Sequence, residues 1–546
     1  MQGLSSVCWI AVVAALVSSP SSVVADDLNA LESATKVDAL LAQELFRRPD
    51  GSSVELAPQT GDETFLRRAT LDLIGRLPSP AEITTFAFDR SPDKRAALVQ
   101  RLLADSGFGR NWGRYWRDVI FYRRSDERAL IAALPAENYL AERFNAGASW
   151  DAIARSFVTA TGDIREEGRT AIIMAQMGDV NDVTSEMSRI LLGVQIQCAQ
   201  CHDHPTDRWK RQQFHELAAF FPRIQLRPKR GGGPLSFEVA SFDNGGRRRP
   251  QAMVGARGEL EHYMPDLNDP TAEGTLMTPV FFLSGQQLPA AESDLERRQA
   301  LANWMTDAKN PWFAKAFVNR IWAELVGEGF YEPVDDLGPE RKCSAPATIE
   351  FLAEQFAAHG YDIKWLFRTI MATAAYQREC RPRRNPEQVP FTANCSQRLR
   401  SDQVYDSLFS ALGGLAGEPQ RQRGAGPYGI GGPRAAFATV FGYDPSDRRD
   451  EISGSIPQAL LLMNSPLVNR AISERRSGNN LGTLVAQIGD DDDMTTELYL
   501  RCLAREPNEK ELAACRGYVQ RVGDRAEAFE DVFWALVNSA EFLYRN

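Results

Sequence analysis

The residues best suited to chemistry in this chain lie in one short segment. Of its eight cysteines and five histidines, Cys198, Cys201, His202, His204 and His215 all fall within the stretch QCAQCHDHPTDRWKRQQFHE. Thiolate and imidazole groups are the side chains that bind metals and thioether-linked cofactors. The clustering therefore predicts a bound centre near position 200.

The sequence Cys198-Ala-Gln-Cys201-His202 matches the attachment pattern of a c-type haem. A helix is predicted to run into this motif through EMSRILLGVQIQCAQC. Cysteines three positions apart share one face of a helix, so both sulfurs can form thioethers with the two vinyl groups of one porphyrin. We predict haem c on the two cysteines, with His202 as axial ligand of the iron and Asp203 or His204 orienting its imidazole.

The same residues are consistent with two other centres. Because Pro205 disfavours helix at the preceding residue, His202 and His204 could chelate zinc or iron from an extended segment. The two cysteines, Asp207 or His215 would complete such a metal site. A redox-active disulfide between the cysteines is also favoured by their spacing, although no thioredoxin-like βαβ pattern surrounds them.

Residues elsewhere in the chain are candidates for supporting roles. A haem iron takes its second axial ligand from the protein or keeps that position open, and the candidates downstream are Met253, His262, Met264 and Met277. Asp335 and Asp336 could act as acid and base, but they fit better as loop and capping residues. The charged run DPSDRRDE at 444–451 predicts a salt-bridge network between domains.

Helical periodicity dominates the chain and predicts a mainly α fold, with two helical domains separated by a small β-containing insert. The predicted domains are residues 26–225, which carry the cysteine motif, and residues 291–546. Between them, the Gly-, Pro- and Arg-rich insert at 226–290 contains SFEVASF and TPVFFLSG, which alternate as strands do. The stripe formed by Trp112, Tyr115, Trp116 and Val119 is predicted to be core.

The amino-terminal 25 residues resemble a secretory leader. An apolar run from Val7 to Val17 precedes Val23-Val24-Ala25, which fits a signal-peptidase site. The run is too short to span a bilayer, and no later segment is long enough, so we predict export to the periplasm or beyond. The net charge of −10 argues against nucleic acid as a partner. A haem would instead require a redox partner protein, and the oligomeric state is not indicated.

Export bears on the remaining cysteines, since disulfides persist outside the cytoplasm. Removal of the leader leaves seven cysteines, an odd number. Two pairs could be bridged, Cys380 with Cys395 and Cys502 with Cys515, which would leave Cys343 over. Spacing alone does not fix connectivity, so reduced thiols are an equally good prediction.

These motifs resemble a known family. LGVQIQCAQCHDHPTDRW followed by FHELAAFF, with FLRRATLDLIGRLPSPAEITTF upstream, resembles the planctomycete-type secreted cytochrome-like domain, whose function is not known. FVNRIWAELVGEGFYEPVDDLGPE and HGYDIKWLFRTIMATAAYQ resemble the planctomycete-specific domain that usually follows it. The resemblance covers residues 35–225 and 290–543 and implies the motif positions Cys198, Cys201, His202, Asp203, His204, Pro205 and Asp207.

The chain departs from that family pattern at two places. Ser344-Ala345-Pro346 stands where a histidine-containing Pro-Ser-His-Pro is common, and His215 stands where an aromatic residue is usual. Three hypotheses follow: a c-type haem protein in electron transfer or redox chemistry; a non-haem metalloprotein or hydrolytic enzyme of extracellular glycan breakdown; and a binding or scaffold protein with a structural Cys/His cluster.

Overall fold

The computed structural model describes residues 20–47, 51–229, 231, 233, 235–243, 261–269, 271–288, 293–383, 388–411, 433–465, 468–469 and 480–546. The apolar run of the predicted leader and the candidate ligand Met253 lie outside these residues. The fold is mainly α with small β elements, as predicted.

The helices of the first half lie before and after the cysteine motif along the chain. They are α1 (Pro20–Glu44), α2 (Asp62–Ile74), α3 (Pro80–Phe88), α4 (Lys94–Ala104), α5 (Ser106–Phe121), α6 (Ala133–Asn145), α7 (Trp150–Val158), α8 (Ala171–Ala175), α9 (Val180–Leu192) and α10 (Arg211–Ala218). Short 3-10 helices lie at Glu127–Ala132, Gly168–Thr170 and Gln197–Gln200. The last of these carries the motif.

The helices of the second half follow the insert. They are α11 (Asp294–Met305), α12 (Pro311–Val326), α13 (Pro346–Ala358), α14 (Ile363–Ala372), α15 (Ala374–Gln377), α16 (Ser401–Ala411), α17 (Pro433–Phe441), α18 (Ile456–Asn464), α19 (Asn480–Gln487), α20 (Asp491–Leu503), α21 (Glu509–Val522), α22 (Arg525–Val537) and α23 (Ala540–Leu543). Among the helices described here, none has the length and apolar character needed to cross a bilayer.

The strands form small antiparallel sheets, and most lie in or beside the insert. The largest sheet has the order β1 (Gly162–Asp163), β3 (Phe237–Ser241), β2 (Ile224–Pro228). The two-stranded sheets are β4 (His262–Met264) with β5 (Thr275–Met277), β6 (Val280–Phe281) with β7 (Gln286–Gln287), and β8 (Gln397–Arg398) with β9 (Tyr544–Arg545). Both insert segments predicted to alternate as strands therefore contain one.

The larger hydrophobic core draws on both helical halves. Trp116 of α5 stacks on Phe317 of α12 with the ring planes 3° apart, and Phe317 stacks on Phe356 of α13 at 8°. Trp150 of α7 packs against the first two rings. The aromatic stripe on α5 is buried, as predicted. The domain boundaries predicted at residues 225 and 291 stay a prediction. They mark changes in sequence character along the chain, and the larger core draws side chains from both sides of them.

A smaller core is built from the C-terminal helices. Apolar side chains of α16, α17 and α19–α22 form it, together with Leu71 and Leu77 from the region of α2. Its members include Phe437, Phe529 and Phe533, each nearly fully buried. The cysteine motif lies apart from this core, at the surface of the larger one.

Candidate cofactor-attachment site

The motif turn begins where α9 ends. Gly193 adopts a left-handed conformation, with φ of 66°, and closes the helix, which excludes the continuous helix predicted through the motif. The chain then forms the 3-10 helix Gln197–Gln200, in which residues three apart eclipse each other. Cys198 and Cys201 therefore still project to one side, for a different reason from the one predicted.

The two thiols are exposed, whereas Ala199 between them is fully buried and anchors the turn. Both are free, so the dithiol is not closed into a disulfide. The other five described cysteines, including the pairs 380/395 and 502/515, are also free. Of the two predictions left open for those pairs, the structure agrees with reduced thiols.

His202 is exposed and its ring is oriented by the backbone. Its Nδ1 lies 2.7 Å from the carbonyl oxygen of Asp203. Because a carbonyl only accepts, Nδ1 carries the hydrogen and Nε2 keeps its lone pair. The orienting group is thus the main chain of Asp203, rather than its carboxylate or His204, and the free Nε2 is suited to bind a metal ion.

The carboxylate of Asp203 holds the loop to α10. Its oxygens accept from the backbone N–H of Arg211 at 3.0 Å and from Nζ of Lys210 at 2.9 Å. The Arg211 N–H hydrogen bond, and then Lys210, lower the pKa of Asp203. This carboxylate caps the start of α10 and ties the helix to the residue that follows His202.

His204 and Asp207 pack beside the loop that contains Asp336 and Arg341. The His204 N–H donates to the carbonyl of Trp209 at 2.8 Å, which closes the segment. Burial lowers the pKa of His204, and the nearby Arg341 guanidinium lowers it further. The Asp207 side chain is 1 % exposed and lies 3.8 Å from Nε of Arg341.

His215 lies beneath the turn with both ring nitrogens engaged. Nε2 is 3.0 Å from the carbonyl oxygen of Gln200, and Nδ1 is 2.8 Å from Nε2 of His262. Within the described part of the chain, no group of three His, Cys, Asp or Glu side chains is placed to hold a metal. The metal site of His202, His204, Asp207 and His215 therefore stays a prediction, and His215 would have to break existing hydrogen bonds to join it.

Three of the candidate distal ligands, His262, Met264 and Met277, share one face of the insert. His262 pairs directly with Met277 across β4 and β5, and Met264 is two residues along the same strand. Residues at these positions point to the same face of a sheet. His262 is already bonded to His215, so it would have to give up this hydrogen bond to act as a ligand.

Asp335 is a buried ion-pair centre rather than a catalytic acid. Its carboxylate accepts from Arg189 at 2.6 Å, from Arg320 at 3.1 Å and from the Ser446 hydroxyl at 2.5 Å. Burial acts to raise the pKa of Asp335, but Arg189 and Arg320 outweigh it and hold the pKa well below the usual range. A group that stays ionised in this way cannot deliver a proton near neutral pH.

The charged run at 444–451 forms the predicted salt-bridge network. Asp444 pairs with Arg123 of the first half at 2.8 Å, and Arg449 pairs with Glu324 of α12 at 3.0 Å. The Asp444–Arg123 pair joins the two halves, whereas the Arg449–Glu324 pair lies within the second half; that the run joins two separate domains stays a prediction. Sequence reasoning missed the roles of Gln200 and Arg341, because a backbone carbonyl and a lone arginine carry no motif.

Comparison with family models gives two matches along the chain. Residues 36–226 match the family model PSCyt2, a protein of unknown function (DUF1549). Residues 297–429 match the model PSD1, a protein of unknown function (DUF1553). The two matched ranges follow each other in the expected order. No curated protein and no solved structure matches the chain.

The matched ranges contain most features of the site. The DUF1549 match contains the motif turn and α10, and the DUF1553 match contains the loop with Asp335 and Arg341. Residues 227–296, which supply β3 to β7 and His262, lie between the two matches.

Proposed function

We propose that this protein is exported and carries one haem c, attached through Cys198 and Cys201 and ligated by His202, for electron transfer or redox chemistry. The observation that supports it best is the 3-10 turn, on which two free, exposed thiols project to one side directly before a histidine. The chemistry of this donor set fits a c-type haem, which supplies a one-electron couple when bound.

Each residue of the turn then has a separate task. The cysteines anchor the ring covalently, and Ala199 keeps the turn seated in the core. His202 offers Nε2 to the iron while its Nδ1–H donates to the Asp203 carbonyl, a hydrogen bond that increases ligand basicity. The exposed position of the turn leaves the group accessible to a redox partner protein.

One observation favours the non-haem alternative. Oδ2 of Asp207 is buried and makes no hydrogen bond within the described residues, and its one ionic neighbour there is the Arg341 guanidinium at 3.8 Å, so the oxygen keeps lone pairs that a metal ion could use. His204 lies close enough to interact with it electrostatically. In this second proposal the motif loop binds zinc or iron, and metal analysis of the purified protein separates it from the first.

The test is expression of the whole chain, with its leader, in a bacterial host that has cytochrome c maturation. We expect a haem stain on the denatured protein band, because thioether bonds survive denaturation. Cys198→Ala and Cys201→Ala should weaken or abolish the stain, whereas Cys343→Ala, at a half-buried cysteine outside the motif, should keep it. A colourless wild-type protein with bound zinc or iron would support the alternative and contradict the haem proposal.

A further inference from the structure

We propose that the buried His215 and the half-buried His262 form a positioning pair that holds the attachment turn through the Gln200 carbonyl. The inference deepens the proposed function and rests on it only where haem is measured. It concerns the shape of the turn before any cofactor is bound, so it can be tested on the cofactor-free protein.

The hydrogen bonds of the pair fix a single arrangement of protons. The Gln200 carbonyl can only accept, so Nε2 of His215 carries the hydrogen at 3.0 Å. In the neutral ring Nδ1 of His215 is then an acceptor, and the hydrogen at the 2.8 Å contact belongs to Nε2 of His262. The rings stack with centroids 5.1 Å apart and planes at 22°. His262 thereby selects the tautomer in which His215 can hold Gln200.

Both rings are shielded from solvent, His215 fully and His262 in part. Burial lowers the pKa of His215 to about 4, and His215 itself is 1 % exposed. Burial, followed by the proximity of His215, lowers the pKa of His262 to about 4. The Gln200 carbonyl, which only accepts, fixes which ring nitrogen donates and which accepts.

The insert is clamped on both sides of His262. Glu261 forms ion pairs with Arg223 at 2.6 Å and with Arg297 at 2.8 Å. On the other side, the Pro265 carbonyl accepts from the Arg211 guanidinium of α10 at 2.6 Å. These contacts hold β4 next to α10, the helix that contains His215. The insert, which lies outside both family matches, thus contacts the motif turn indirectly, through the hydrogen bond from His262 to His215.

The consequence lies at the motif itself, because Gln200 stands between the two cysteines and directly before Cys201. A carbonyl held from beneath keeps the 3-10 turn closed, with both sulfurs on one side. Without His262, His215 is free to take the other tautomer, in which Nε2 can no longer donate. The turn would then open more often, which misplaces the two exposed thiols for attachment.

A matched pair of variants tests this in the whole chain prepared without haem. His262→Gln keeps an N–H that can donate to Nδ1 of His215, whereas His262→Leu removes it. We expect His262→Leu to raise the hydrogen-exchange rate of the Ala199 amide, which donates to the Ile196 carbonyl within the turn, about fivefold, the factor by which one lost hydrogen bond shifts an opening equilibrium. His262→Gln should stay close to wild type. Equal rates in wild type and His262→Leu would overturn the proposal.

A second measurement does not depend on any variant folding correctly. Nitrogen NMR of the histidine-labelled wild-type protein should report His215 protonated at Nε2 and not at Nδ1. The opposite tautomer would overturn the proposal. If the tautomer and hydrogen-exchange results are as expected and no haem attaches to wild type, the positioning pair stands and the proposed haem function fails. If haem attaches, His262→Leu should lower its yield and His262→Gln should restore it.

Discussion

Asp207 and Gly338 show, at the scale of single residues, how closely the motif loop is seated on the second half of the chain. A Cβ added at Gly338 would overlap the carboxylate of Asp207 and lie 3.2 Å from Cγ of Arg341. Glycine at 338 therefore serves close approach, not an unusual backbone angle. The Asp207 side chain, which belongs to the motif, fills the space that any other residue there would need.

Replacing this glycine gives a direct prediction for the seating of the loop. Gly338→Ala should lower the free energy of unfolding by about 1–3 kcal/mol, because the added methyl group overpacks a filled site. The control is Gly517→Ala in α21, where nothing lies within 4 Å of the added Cβ. That change should be neutral or stabilise by about 0.5–1 kcal/mol. Urea denaturation measures both, and a Gly338→Ala protein as stable as wild type would contradict the account.

The residues of the site were predictable only in part. The cysteine spacing and the following histidine were legible because they are a local motif. The actual contacts of Asp207 and His215 were not, because each depends on a partner distant in sequence, Gly338 in one case and His262 in the other. A sequence names the groups that can ligate, but it does not say which of their atoms are already hydrogen-bonded.

At the scale of elements, helix ends decide what the motif becomes. Gly193 stops α9 just before the motif, and the cysteines fall on a separate 3-10 turn. The helical periodicity of EMSRILLGVQIQCAQC concealed this break. By contrast, a local sequence signal marks the start of α3, where Ser79 and Glu82 form a capping box.

Glu82 makes that capping box sensitive to acid. Burial acts to raise the pKa of Glu82, but the Arg76 guanidinium and the Ser79 N–H outweigh it and lower the pKa to about 2. Since the folded pKa lies below the ordinary value of 4.5, the stabilisation is present above about pH 4.5 and is lost as the pH falls towards 2. Glu82→Gln should therefore destabilise at pH 7, by about 1 kcal/mol or less.

The measurement is the difference in unfolding free energy between wild type and Glu82→Gln at pH 7 and at pH 3. The difference should shrink at the lower pH, where the wild-type carboxylate begins to protonate. A variant at the exposed Glu63, in the first turn of α2, serves as a control for general acid effects. A difference that is the same at both pH values would show that the charge of Glu82 does not stabilise the cap.

At the scale of the whole molecule, ion pairs fasten the two halves together. The fully buried Arg545 of β9 pairs with the buried Asp72 of α2 at 2.8 Å, and it also donates to Asn394 at 2.8 Å. Tyr376 donates its hydroxyl to the same Asp72 carboxylate at 2.9 Å. Side chains of α2, α15 and β9 thus meet at the carboxylate of Asp72.

Replacing either Arg545 or Asp72 should lower the stability of the fold, because the partner that remains is a buried charge without its counter-ion. We expect Arg545→Met and Asp72→Leu each to lower the free energy of unfolding by about 3–5 kcal/mol. The double variant should cost clearly less than the two single effects added together. Chemical denaturation of all four proteins completes the cycle, and strict additivity would show that the pair does not couple the halves.

The sequence was informative about the class of the fold and less so about its assembly. Helical periodicity and the alternating segments of the insert predicted a mainly α chain with small strands. The shared core could not be predicted, since an apolar helix face specifies burial but not the partner it packs against. Phe317 illustrates the point, because nothing in its local sequence indicates that it stacks between Trp116 and Phe356.

The most direct test of the central claim is mass spectrometry of the protein from a host with cytochrome c maturation. The account predicts one haem per chain, retained after denaturation and localised to the peptide that contains Cys198 and Cys201. Cys380 and Cys502 should remain unmodified in the same sample. A wild-type peptide without added mass, with both motif thiols open to alkylation, would contradict it.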